Sequence, residues 1–145
     1  MRSILIATAF TLLSATSWAQ SDAVLAAAAR EAGAQVTKSG LVYRSLKDGT
    51  GSSPAATDRV RVHYKGSFPD GKEFDSSYKR GEPTEFALNG VIPCWTEGVQ
   101  LMKTGGKAKL TCPASIAYGQ RGAGRVIPPN ATLVFEVELL AINGK

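Results

Sequence analysis

The chain has 145 residues, with 17 lysines and arginines against 12 aspartates and glutamates, one histidine and two cysteines. That length suits one domain with a single core and little more. The +5 formal charge is spread without a basic block or interleaved stacking aromatics, which argues against nucleic-acid binding and leaves a solvated surface.

The first residues read as an export signal. Arg2 supplies a positive start, Ile4 to Ala15 an apolar stretch, and Ser17-Trp18-Ala19 small residues around a cut after Ala19. The stretch falls well short of the ~20 residues a spanning helix requires, so no stable membrane insertion is expected. Residues 1–19 are thus a predicted signal peptide, and the product is expected to be periplasmic or secreted.

Two cysteines in an exported chain raise the question of a disulfide. Cys94 and Cys112 lack CxxC spacing and have only His63 as an imidazole neighbour, so no metal site is expected. A disulfide is preferred, with two buried free thiols as the alternative. Alternation in Lys107-Ala108-Lys109-Leu110-Thr111-Cys112 turns Cys112 inward with Ala108 and Leu110.

In chain order, Ser21 or Asp22 caps a helix over the alanine-rich Ala23 to Ala32, which Gly33 ends. Residues 20–40 therefore read as a short helical extension, too short for the several heptads of a dimerising coiled coil. A monomer is expected. Leu41 to Leu46 predicts a strand, followed by a loop over Asp48 to Pro54. Val60 to Lys65 alternates, with Val60, Val62 and Tyr64 inward and Arg61, His63 and Lys65 outward. His63 accordingly lacks a partner at a telling spacing and is a poor general base.

Pro69-Asp70-Gly71 predicts a turn into a strand reaching Phe74. Asp75 to Pro83 reads as polar and irregular, and Glu85 to Leu88 as another strand. Pro93 to Met102 predicts the one amphipathic helix of the domain. Proline suits its first turn, and Trp95, Gly98, Val99 and Met102 share a face. Thr132 to Ile142 closes the chain as a strand with Leu133, Phe135, Val137 and Leu139 on one side. The expected fold is α+β: a twisted antiparallel sheet of about five strands wrapped on one short helix, plus the N-terminal helix.

Familiar chemistries are mostly excluded. No Gly-x-Ser-x-Gly elbow accompanies the single histidine, Gly105-Gly106-Lys107 is not a phosphate loop, and Gly119 to Gly124 matches no dinucleotide fingerprint. No cofactor is predicted. What remains is an apolar pocket assembled from Tyr64, Phe74, Phe86, Val91, Ile92, Trp95, Tyr118, Ile127 and Phe135, with Asp75 against an aromatic. Ile92 and Trp95 bracket a helix start, Tyr118 opens a glycine-rich loop and Ile127 precedes two prolines, positions that suit a cavity mouth.

From about Leu41 to Ile142 the chain resembles FKBP-type peptidyl-prolyl cis-trans isomerases. The resemblance rests on Val62-His63-Tyr64-x-Gly66, Asp70-Gly71-Lys72-x-Phe74-Asp75-Ser76-Ser77, Val91-Ile92-Pro93-x-Trp95, Ala117-Tyr118-Gly119 and Ile127-Pro128-Pro129-x-x-Thr132-Leu133-Val134-Phe135. The leader and Gly40-Leu41-Val42-Tyr43 are most similar to the exported bacterial branch related to macrophage infectivity potentiators, without that branch's long dimerisation helix. Residues 41–145 would then be the isomerase domain. The family implies proline-containing polypeptides as substrates and binding of macrolide inhibitors. It also implies roles for Asp75, Tyr118 and the Ile92 N–H at the rotating bond, and a Trp95 floor; fixing Tyr64 or Arg80 is the alternative role for Asp75. A proline-binding chaperone module with little turnover is the alternative.

The chain departs from the family pattern in three places. Thr84 stands where many relatives place an aromatic, Ala123 replaces a larger loop residue, and Cys94 stands where glycine is usual. The first two should loosen selectivity before the proline and weaken macrolide binding. The third favours a Cys94 to Cys112 bridge tying the floor helix to the sheet.

Overall fold

A computed structural model describes residues 16–143, with side chains from Asp22 onward. Most of the predicted signal peptide lies outside the described residues. Helix α1 (Thr16–Ala29) leads into β1 (Ala34–Val36) and β2 (Val42–Lys47). Next come β3 (Arg59–Ser67), β4 (Glu73–Ser76), α2 (Ser77–Arg80) and β5 (Thr84–Ala87). Then follow α3 (Pro93–Gln100), β6 (Lys107–Cys112) and β7 (Leu133–Asn143). The strands form one antiparallel sheet in the order β1-β2-β6-β7-β3-β4, with β5 also paired to β3.

The architecture is α+β, but the sheet has seven strands where about five were expected. The short strands β4 and β5 were expected, and β1 was not. β1 falls inside the stretch read as a helical extension: α1 ends at Ala29, and Ala34 to Val36 pair with Val42 to Arg44. Glu31, between them, ties this segment to the sheet through Lys109 Nζ and Arg44 Nη1, both at 2.7 Å. The Lys109 hydrogen bond, partly offset by burial and reinforced by both positive charges, holds the Glu31 carboxyl below its usual value.

Alternation along β3 and β7 puts Val60, Val62 and Tyr64 beside Leu133, Phe135, Val137 and Leu139 in the core. A register shift opposite Arg61 and Val62 inserts one residue in β7, so Ile142 rather than Ala141 returns to the core. Helix α3 lies against the same face, burying Trp95, Gly98 and Val99. A Cβ on Gly98 would stand 2.8 Å from Leu110 Cδ2, so glycine lets the helix sit flush on β6. Cys94 and Cys112, both fully buried, are joined as a disulfide with Cα atoms 5.9 Å apart. The helix stops at Gln100, short of the expected end at Met102.

One edge of β3 is divided. β5 pairs with Arg59 to Val62, and β4 with Lys65 to Ser67. Between them the Tyr64 N–H donates to Ser77 Oγ at 2.7 Å, and that hydroxyl lies 3.3 Å from the Tyr64 carbonyl oxygen. Ser77 opens α2, a turn of helix in the stretch read as irregular. Ser76 caps it by accepting from the Lys79 N–H, and Gly81 closes it with a left-handed φ of 77°. The two short strands diverge around this plug, leaving an opening over the core.

Candidate active site

The opening is a cavity of about 500 Å³ lined by Tyr64, Phe74, Asp75, Phe86, Gly90, Val91, Ile92, Trp95, Tyr118 and Phe135. Trp95, on the first turn of α3, meets three rings edge to face: Tyr64 at 5.2 Å, Phe86 at 5.4 Å and Phe135 at 5.5 Å. Phe74 extends the wall against Phe135 at 5.8 Å. Edge-to-face pairing adds about 0.5–1.5 kcal/mol per pair beyond area burial, and it fixes the rings. A flat apolar face is thus held open without being filled by its neighbours.

Strand geometry explains these positions. Tyr64 and Phe135 are inward residues of β3 and β7, and Gly66 lies between Phe74 and Phe135. A Cβ there would lie 2.6 Å from Phe74 Cζ and 2.9 Å from Phe135 Cε1, so the close approach of both rings requires glycine. At the mouth, Ile92 precedes Pro93 at the helix start, its carbonyl accepting from the Trp95 N–H at 2.9 Å and the Thr96 N–H at 3.2 Å. Tyr118 is 39% exposed and lines the cavity.

Asp75 is the charged lining residue. Its Oδ2 accepts from the Tyr64 hydroxyl, and its Oδ1 accepts from Arg80 Nη1 at 2.5 Å. Arg80 Nη2 also reaches the Tyr64 oxygen at 3.2 Å and Thr84 Oγ1 at 3.1 Å, with the guanidinium 5.6 Å from the Tyr64 ring centre. Burial raises the Asp75 pKa, but the Tyr64 hydrogen bond and then the hydrogen bond and charge of Arg80 outweigh it, leaving a net lowering. Burial and the Asp75 hydrogen bond raise the Tyr64 phenol. At neutral pH the site therefore holds a carboxylate, a neutral phenol and a guanidinium.

Nine of the ten named residues converge on this cavity: Tyr64, Phe74, Asp75, Phe86, Val91, Ile92, Trp95, Tyr118 and Phe135. Ile127 does not line it. Its side chain is 4% exposed in the core, and its backbone bridges Ala123 to close the loop after Tyr118. The expectation came from its place before two prolines, but core burial draws the side chain inward. Gly90 lines the cavity although it offers no side chain to notice, and Arg80 was anticipated only as a group that Asp75 could fix.

His63 also differs from expectation. Its Nδ1 lies 2.9 Å from Ser77 Oγ, and its ring stacks on Tyr78 at 4.6 Å. The partner is 14 residues away on α2, which sequence spacing did not reveal. Tyr78 in turn donates to Glu138 at 3.1 Å; burial, then that hydrogen bond and charge, push its phenol up to about 12. Among the described residues no cluster of three or more His, Cys, Asp or Glu could hold a metal ion. No helix there is long and apolar enough to cross a membrane.

The sequence profile of FKBP-type peptidyl-prolyl cis-trans isomerases matches residues 51–140. The chain belongs to this family. It is 58% identical over 114 residues to the FKBP-type 22 kDa peptidyl-prolyl cis-trans isomerase of Escherichia coli K12, covering 79% of this chain and 55% of that protein. It is 59% identical over 118 residues to FkpA of Aeromonas hydrophila, covering 81% of this chain and 44% of that one. The chain thus spans about half the length of these curated relatives. Among solved structures, FkpA of Escherichia coli superposes with a TM-score of 0.85 at 49% identity, over 88% of this chain and 60% of that one. A peptidyl-prolyl isomerase from Pseudomonas syringae pv. tomato gives 0.81 at 39% identity, over 88% and 93%. The fold described here is therefore that of an FKBP-type domain.

Proposed function

We propose that this protein is a peptidyl-prolyl cis-trans isomerase acting on X-Pro bonds of exported polypeptides. The observation that carries the reading is the aromatic cavity, with Trp95 edged by three rings and the Asp75–Tyr64–Arg80 network on its wall. Rotation about an X-Pro bond crosses a barrier of about 18–20 kcal/mol because amide conjugation is lost at the top. No covalent partner is needed, so the absence of a nucleophile–base pair from the proposed mechanism is no obstacle.

The twisted amide is less dipolar than the planar one, so a site that removes water favours it. The proline ring lies on Trp95 between Tyr64, Phe86 and Phe135. Tyr118 Oη and the Ile92 N–H hold the carbonyls flanking the bond, and Asp75 acts electrostatically on the carbonyl that rotates. Phe74 and Val91 complete the apolar wall, while Ile127 supports it from the core. The reading extends to a signal peptide over residues 1–19, an extension over 20–40 and an isomerase domain over 41–145. The mature protein works as a periplasmic or secreted monomer, and the cavity admits macrolides with reduced affinity.

The test is isomerase turnover of a proline tetrapeptide in a protease-coupled assay, with Asp75→Ala and Tyr118→Phe alongside. Turnover above the uncatalysed rate, reduced in both variants, is expected. A background rate with peptide binding retained would replace the enzyme by a proline-capturing chaperone module.

A further inference from the structure

We propose that Arg121 and Arg125 make this site select prolines flanked by acidic residues; the inference rests on the isomerase reading and adds the class of polypeptide preferred. Between Pro113 and Phe135 the sequence holds these two arginines and no aspartate or glutamate. Both are exposed, and neither guanidinium has a hydrogen-bonded or ion-paired partner among the described residues.

Backbone hydrogen bonds shape the loop that carries them, which begins at the cavity-lining Tyr118. The Gly122 N–H donates to the Tyr118 carbonyl at 3.1 Å, closing a turn that contains Arg121 three residues past the lining tyrosine. The N–H groups of Val126 and Ile127 reach the Ala123 carbonyl at 3.2 and 3.0 Å, closing a second turn that carries Arg125. The Ala123 N–H donates back to the Ile127 carbonyl at 2.9 Å, and Ala123 packs on the core. The two cations therefore stand on a braced loop rather than a loose one.

Acids in the segments bordering the cavity offer little compensation. Asp75 is taken by Arg80 and Tyr64, Glu73 pairs with Lys79, Glu85 with Arg59, and Glu97 accepts from Thr37 and Ser39. Glu82 and Glu97 there have no ion pair among the described residues, Glu97 being held by hydroxyls alone. The first turn of α3 carries no acid, so the positive end of its dipole at Ile92 and Pro93 is unneutralised. A polypeptide entering with carboxylates beside its proline meets a favourable potential, and one with lysines an unfavourable one.

Two exposed, solvent-screened pairs correspond to about a threefold to tenfold preference. The experiment measures kcat/KM by protease-free exchange on matched proline peptides bearing Glu, Gln or Lys, in one set two residues before the proline and in another two residues after it. At low salt the Glu peptide of at least one set should exceed its Gln counterpart by that ratio, chiefly through KM. The ratio should approach one above about 0.5 M salt, where the screening length is only about 4 Å. It should also approach one in Arg121→Gln/Arg125→Gln and invert towards Lys in Arg121→Glu/Arg125→Glu. Equal turnover of Glu, Gln and Lys peptides by the unaltered protein in both sets overturns the inference, while turnover of the Gln peptide keeps the isomerase reading intact. Background turnover of every peptide would remove that reading itself.

Discussion

The Tyr64 hydroxyl donates to Asp75 Oδ2 on the cavity wall, so an aromatic lining residue and its one carboxylate are oriented by each other. Arg80 closes the triangle by contacting both. Removing any member takes one contact from each of the others.

Acid stability reports on that triangle. The Asp75 carboxyl has a folded-state pKa below its ordinary 3.8. Its contribution to stability is therefore complete above that value and is lost as pH falls through the lower folded one. Urea midpoints of the wild type and Asp75→Asn, taken from pH 6 to pH 2, should differ most at the upper end and converge at the lower. A constant gap across the range would contradict the assignment.

Tyr118→Phe separates chemistry from folding. The side chain is exposed, and its hydroxyl has no hydrogen-bond partner among the described residues, so thermal stability should stay within about 0.5 kcal/mol of the wild type. In the proposed mechanism one hydrogen bond to substrate is lost, about 1–1.5 kcal/mol, and kcat/KM falls about tenfold. A large fall in melting temperature would mean that the hydroxyl supports the fold instead.

Gly66→Ala should damage the cavity from below. The added methyl meets two cavity rings, and overpacking of this kind costs about 1–3 kcal/mol. Phe74 and Phe135 must shift, so KM for a proline peptide should rise along with the loss of stability seen in urea. Unchanged KM and midpoint would show that the rings give way freely.

The Cys94–Cys112 bridge predicts two observations. Alkylation of the denatured, unreduced protein should add nothing by mass spectrometry, whereas prior reduction should give two adducts. Closing a loop over a sequence separation of 18 is worth about 3 kcal/mol in the chain-entropy account, so Cys94→Ala/Cys112→Ala should lower unfolding free energy by that order. Two adducts without reduction would remove the bridge.

The long alternating strands were legible in the sequence because burial imposes a period of two on Val60, Val62 and Tyr64 and on Leu133, Phe135, Val137 and Leu139. Helix α3 was legible for the matching reason, a proline start and a buried stripe from Trp95. Two short elements were not. β1 has three residues, and α2 only a serine cap and a closing glycine, signals indistinguishable from an ordinary turn. Nine residues of the cavity could be named because inward aromatics such as Tyr64 and Phe135, and apolar residues at a helix start such as Val91 and Ile92, stand out in a sequence. Ile127 was misplaced because adjacency to prolines says nothing about which way a side chain points, and Ser77 was missed because its contacts with His63 and Tyr64 cross 13 or 14 residues.

The Ser77 plug in the divided edge of β3 also constrains how a polypeptide can be recognised. An exposed strand edge invites any extended chain to pair with it through backbone hydrogen bonds, whatever its side chains. Beside the cavity, Tyr64 already has its N–H engaged by a hydroxyl of its own protein, with the same oxygen against its carbonyl. An incoming chain finds no backbone ladder to extend there, and in the proposed isomerase it would be held by its ring and a few carbonyls. Generic strand addition is closed off where, on that proposal, a proline, which has no N–H to offer a ladder, would bind.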